Sequence, residues 1–387
     1  GLAAENFGVF TLQRKVLDRS NISLIFVNKQ KINSPENSPS EDAYNRNLGL
    51  EYNYFSEDNL WNGKLLFLQS FSPLEANQGS VFASHIGYQS TRWNWRIQQE
   101  YVAGNYSADV GFIPRNNYIK LETRGGHLVY TQKETPLLSH GPSVERTYYF
   151  DSSFEKKDQT AEFNYLFNFK NRGRFSLGFQ NQFIELLSDF DPLRTGKAEL
   201  QKGTEHRWNS ITLSFDAKPQ NQFTYSLEAL TGGYYNKGKR SAFLGEFRYR
   251  FQPYLELSSV ANFNQINLPA PWNDNSFWLL GMKANLTFSN TLFFSNLFQY
   301  NEQLGLWNFN SRFQWRYKPA SDIFLVVHPQ EHLGVRVLKK KSTIGGFNKT
   351  TKGKRPLVHQ RDSEWDLNRF LPTIHHLALA VDSGTLN

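Results

Sequence analysis

Residues 158–183, DQTAEFNYLFNFKNRGRFSLGFQNQF, alternate large apolar and polar side chains through two segments joined at 171–173. Successive side chains of a β-strand point to opposite faces, so this pattern specifies a hairpin with one apolar and one polar face. Ala161, Phe163, Tyr165, Phe167 and Phe169 share one face, and Glu162, Asn164 and Asn168 the other. Beyond Asn171, Arg172 and Gly173, the residues Phe175, Leu177, Phe179 and Phe183 alternate with Ser176, Gly178, Gln180 and Gln182. A soluble sandwich would hide the apolar face against a second sheet. Here the pattern recurs along about 320 residues in segments of about ten, the length that crosses a bilayer at a tilt. The expected fold is all-β, an antiparallel transmembrane β-barrel.

Composition narrows the alternatives. Phe, Tyr and Trp make up 16% of the 387 residues, yet mean hydropathy is -0.57. A barrel with a wet interior and aromatic girdles needs that combination, and no run of about 18 apolar residues offers a membrane helix. The absence of cysteine excludes disulfides, thiolate metal sites and a Cys nucleophile. The first ten residues, GLAAENFGVF, lack the charged and apolar regions of a signal peptide, so either a signal was removed or the chain begins within a longer protein. The net charge of +8 raises nucleic acid as a partner, but the aromatics alternate within strands instead of forming one stacking platform. Nucleic acid is set aside; outer-membrane lipid and anionic lipopolysaccharide are the expected partners.

About eighteen strands are expected, near 7–16, 20–29, 44–55, 60–71, 80–89, 92–103, 118–131, 143–155, 158–169, 173–187, 206–217, 221–232, 240–251, 254–266, 275–288, 291–301, 305–317 and 322–328. Most connections alternate between tight (17–19, 56–59, 90–91, 170–172, 218–221, 252–253, 289–290, 318–321) and long (30–43, 72–79, 104–117, 188–205, 233–239, 267–274, and 302–304, although the last is short). Short turns at one end and long loops at the other mark an outer-membrane barrel, with the short end periplasmic. A connection at 135–142 breaks that rhythm and reads as an inserted periplasmic loop or a misread strand. By this phase the first strand begins outside the cell, so upstream strands are expected to be missing and the barrel, of roughly 16–18 strands, incomplete. The expected division is a barrel domain over 1–328 and an irregular basic tail over 329–387.

Four segments resemble a family of Bacteroidota outer-membrane barrels, the domain of unknown function 5916: RSNISLIFVNKQ (19–30), YNRNLGLEY (44–52), GNYSADVGFIPRNNY (104–118) and QYNEQLGLWNFNSRFQWRYKPASDIFLVV (299–327). The resemblance implies a barrel that follows a module like the family 9 carbohydrate-binding modules, and hence a link to polysaccharide. That module has no counterpart here, so sugar binding carries over to no residue, and the family's closing strand is not recognisable after Val327.

Catalytic patterns are weak. His328, Pro329, Gln330, Glu331 and His332 match H-x-x-E-H, but that pattern needs a helix and a third ligand, and these residues follow a strand. His375 and His376 lie in the tail. Glu162, Glu246 and Glu256 are single carboxylates with nothing to pair them for glycoside chemistry, and His85 or His127 has no nucleophile elbow to serve. No phosphate loop or dinucleotide fingerprint occurs. The expectation is no catalytic, metal or cofactor site. The candidate functional surface is instead the lumen. Arg248 and Arg250 share a face opposite Phe247, Tyr249 and Phe251, and Arg312, Gln314 and Arg316 share one opposite Phe313, Trp315 and Tyr317. Pairing with lumen acids to hold the barrel is the plainer role for them; lining an anion or sugar path is the functional one. Gly104, Gly111, Pro114 and Arg115 mark an ordered extracellular loop, folded inward as a plug or ligand contact.

The reading is a non-catalytic anchor or conduit in a bacterial outer membrane. Its rivals are part of a cell-surface glycan hydrolase and a soluble β-sandwich adhesin.

Overall fold

The computed structural model describes residues 4–32, 43–73, 78–132, 134–193, 196, 198–319, 321–328 and 334–341, with 328 and 334–341 as backbone only. The strands are β1 (Ala4–Val16), β2 (Ser20–Ile32), β3 (Tyr44–Phe55), β4 (Trp61–Phe71), β5 (Ser80–Gln89), β6 (Trp93–Val102), β7 (Tyr118–His127), β8 (Val129–Tyr130), β9 (Leu137–Phe150) and β10 (Lys156–Phe169). They continue as β11 (Arg174–Glu185), β12 (Glu205–Asp216), β13 (Phe223–Tyr234), β14 (Gly238–Phe251), β15 (Leu255–Leu268), β16 (Asn273–Ser289), β17 (Leu292–Asn301), β18 (Leu306–Lys318), β19 (Ser321–His328) and β20 (Gly334–Lys341). All belong to one antiparallel sheet in which each strand pairs with its sequence neighbours, except that β7 pairs with β9 and the two-residue β8 adds to β9.

Register fixes the faces, because a one-residue slip would turn every side chain over. Leu50, Phe67, Phe82, Tyr101, Ile119 and Phe150 stand opposite one another from β3 to β9. Val144, Phe163, Phe179 and Ile211 do the same from β9 to β12. This outer face carries the exposed large apolar residues, Phe67 and Ile211 each at 47%. So wide an apolar surface is costly against water and suits lipid. The buried apolar residues fall elsewhere. Both clusters lie on the inner face beneath long loops, one around Val81, Val102, Tyr106 and Tyr118 and the other around Leu186, Leu193, Tyr235 and Phe277.

Four expectations are corrected. First, the sheet holds 20 strands, more than the expected 16–18; among the described residues β1 pairs only with β2 and β20 only with β19, so the sheet is not closed. Second, of the two readings of 135–142 the inserted loop falls and the misread strand holds. Leu137 to Pro142 belong to β9, and Val129 and Tyr130 pair with His140 and Ser139. Pro142 cannot donate to a ladder, and it sits just past Ser143, where the β7 ladder ends. Third, the connections near 233–239 and 267–274 are tight, the first a single 3-10 turn at Tyr235–Lys237. Fourth, the tail is not irregular from 329, because Gly334–Lys341 forms β20 on β19; Ser342–Asn387 lie outside the described residues.

Candidate functional site

The loop between β6 and β7 folds inward across the polar face. Tyr106 anchors it, 6% exposed among Val81, Val102 and Tyr118, with Ile113 and Tyr149 packed alongside. Burial pushes the Tyr106 phenol above its ordinary value. On one flank Asn45 of β3 donates to the Ser107 carbonyl at 3.3 Å and accepts from the Asp109 N–H at 3.1 Å, while Lys29 of β2 pairs with Asp109 at 3.1 Å. On the other flank Arg115 pairs with Asp158 of β10 and lies 5.3 Å over the Tyr149 ring of β9. The loop therefore spans the inner wall from β2 to β10. Of the four residues that mark it in the sequence, Gly104, Gly111 and Pro114 are exposed, and Arg115 makes the wall contact. Tyr106, Ser107 and Asp109 carry the rest, and no local signal singles them out.

A second inward loop joins β11 to β12. Leu193 is 1% exposed, Phe190 bridges Leu200, and Gln303 and Trp272 donate to the carbonyls of Leu193 and Ala198 at 2.7 and 2.9 Å. Both loops belong to the long-loop end of the strands. Each covers its own stretch of inner wall.

Below the first loop, charges interlock between neighbouring strands and along β7. Glu51 meets Lys64 at 2.6 Å, His85 meets Arg96 at 3.1 Å, and Glu122 holds Lys120 at 2.8 Å and Arg124 at 3.7 Å; Arg124 also reaches Glu145 at 2.9 Å. Tyr118 donates to Glu100. The cation pairs singled out in the sequence lie on the same inner face but are not part of this band. Arg250 donates to the carbonyls of Pro219 and Asn221, pinning a tight turn. Arg316 and Gln314 both donate to Asp322, each at 3.2 Å, and Arg312 donates to Gln314 and lies 4.5 Å over the Phe324 ring. Arg248 is exposed opposite Thr224 and Ser258.

The catalytic combinations come apart. His85 faces inward, whereas His127 lies on the outer face 4.1 Å from the Trp93 ring. Glu162 accepts from Gln180 on β11, and Glu246 and Glu256 stand opposite Val260 and Arg250, at different heights. Of the H-x-x-E-H residues only the His328 backbone is described, at the end of β19; the others, and His375 and His376, lie outside the described residues. No group of three or more His, Asp or Glu suited to a metal occurs among the described residues.

The model of the domain of unknown function 5916 matches residues 3–306. The chain belongs to that family. The match ends within the fourth segment quoted above, just after β18 begins. No curated relative matches the chain. Among solved structures it is similar to the in-vitro folded trimer form of OmpT, an outer membrane protein of Vibrio cholerae, at 10% identity and a TM-score of 0.38, covering 88% of this chain and 96% of that one. A second OmpT structure gives 8% identity and a TM-score of 0.38, covering 80% and 87%. A likeness that loose carries no function across.

Proposed function

We propose that this family member is an outer-membrane anchor whose interior is occluded at the long-loop end, with no catalytic step of its own. The carrying observation is the outer face, apolar and aromatic in two runs of opposed residues, from β3 to β9 and from β9 to β12. Antiparallel strands that present one apolar face satisfy their backbone groups within the sheet, which hydrocarbon requires. Long loops gather at one end, which this reading places outside the cell, next to lipid and lipopolysaccharide. Polysaccharide stays a proposal with no described residue assigned to it.

The interlocked charges from Glu51 to Glu145 favour a second reading, a conduit that opens when the first loop lifts. Alternating charges along a wall hold water and select small polar solutes. Both readings are tested by reconstituting the full chain in planar bilayers beside a variant with Asp109→Asn and Asp158→Asn, which loosens both flanks of the loop. The anchor predicts no appreciable current from either; the conduit predicts a current that appears in the variant. Folding in aqueous buffer without detergent or lipid would overturn both.

A further inference from the structure

The outer face has a gap between β12 and β13. Their ladder stops at Ser210 and Gly232, although β12 continues up to Glu205 on β11 and β13 up to Tyr234 on β14. At the next outer position β13 places Gly233 opposite Lys239 of β14; on β12 Asn209 follows Ile211 on this face, and Arg207 comes one outer position further. A Cβ on Gly233 would lie 2.6 Å from the Trp208 Cβ, so no side chain is accommodated at this position. The result is an open notch of about 610 Å³. Phe179 and Ile211 line it on the side of the apolar face, and Arg207, Lys237 and Lys239 are its cations.

Nothing among the described residues neutralises Lys237 or Lys239, and both are exposed. Lys237 is held at the rim by its turn, in which Asn236 and Lys237 both take left-handed backbone (φ 48° and 61°) and the Asn236 N–H donates to buried His206 at 3.2 Å. Arg207 lies 4.6 Å over the Phe183 ring, with Lys156 4.3 Å from the same ring, and has one exposed carboxylate, Glu205, at 3.8 Å. Three cations above an apolar floor, opening sideways toward lipid at the long-loop end, match an amphiphile with phosphate at its head and acyl chains below.

We infer that the notch seats a phosphorylated glycolipid of the surrounding outer leaflet, its phosphate between Arg207, Lys237 and Lys239 and an acyl chain along Phe179 and Ile211. The inference rests on the membrane reading above, and its test separates the two. The full chain is purified in a neutral detergent, mixed with bisphosphorylated lipid A, dephosphorylated lipid A or phosphatidylglycerol, washed with salt, and weighed by native mass spectrometry. One bisphosphorylated lipid A should stay per chain, with at least tenfold less of either other lipid. Combining Arg207→Gln, Lys237→Gln and Lys239→Gln should lower retention at least tenfold. The pair Arg92→Gln and Lys218→Gln, at the tight-turn end, should leave it unchanged. Fold is checked by the heat-dependent shift in gel mobility. A folded triple variant that keeps its lipid A, or equal retention of phosphatidylglycerol, overturns the glycolipid site and leaves the membrane reading standing. A chain that is folded without detergent and binds no lipid overturns both. Should the triple variant fail to fold, Lys239→Gln alone, which alters one exposed side chain, decides: unchanged retention overturns the site.

Discussion

The inner walls of β3–β10 and of β14–β19 both carry cations, but they use them differently. In the first, Lys64, Arg96 and Arg124 on β4, β6 and β7 meet Glu51, His85 and Glu145 on β3, β5 and β9, and Glu122 sits between Lys120 and Arg124 along β7. In the second, Arg250, Arg312 and Arg316 come in runs along their own strands and settle on the nearest turn carbonyl, amide or Asp322. A run of like charges on one strand is conspicuous in a sequence and serves its own hairpin; a network is spread over many strands and shows only when register lines them up.

The largest expected effect tests how deeply each wall buries its ion pairs. Lys120 and Glu122 are 8% and 12% exposed, so Glu122→Gln leaves a buried ammonium without its carboxylate and should cost about 3 to 5 kcal/mol in detergent unfolding. If the loss is no greater than for a surface pair, the two walls do not differ. The outer face should be indifferent to the division. Ile97→Arg in the first half and Leu213→Arg in the second, exposed at 47% and 45%, should each cost about 2 to 4 kcal/mol of folding into vesicles, and unequal losses would show that lipid contact is not uniform. Arg316→Gln should cost less than about 1 kcal/mol, since Arg316 is 45% exposed and Asp322 keeps its bond from Gln314.

The smallest effect is a pH response at the turn joining β9 to β10. The Glu155 N–H, then the Ser153 N–H and Lys157, hold the Asp151 carboxyl below its ordinary value. A depressed folded-state value stabilises the turn above the unfolded carboxylate pKa and loses that contribution as pH falls through the folded value. Amide exchange at Ser153 and Glu155 should therefore lose protection on acidification, relative to the intrinsic rate, and Asp151→Asn should remove the response.

Strand positions were legible because alternation is written residue by residue, and 158–169 ends where β10 ends. The misses have local causes. Pro136 and Pro142 read as a loop because proline weakens a ladder, yet β9 places Pro142 where one ladder has stopped. Gly334 to Lys341, rich in lysine, lack the aromatic alternation that marks the other strands. The candidate site was less legible. Arg115 could be flagged as part of an ordered loop, but its partner Asp158 is 43 residues away, and Lys29 and Asp109 are 80 apart. Gly233 falls in the expected 233–239 connection, and the gap beside it shows only once β12 and β14 bring Arg207 and Lys239 to its rim.

The loop fastened at Lys29 and Asn45 on one flank and at Asp158 on the other is a chord drawn across an arc of strands. Hydrogen bonds between neighbouring strands set their spacing but leave the bend of the sheet soft, whereas a chord of fixed length sets the radius of the arc it subtends. The curvature from β2 to β10 is thus specified by a handful of side chains, independently of whatever the sheet's free edges meet.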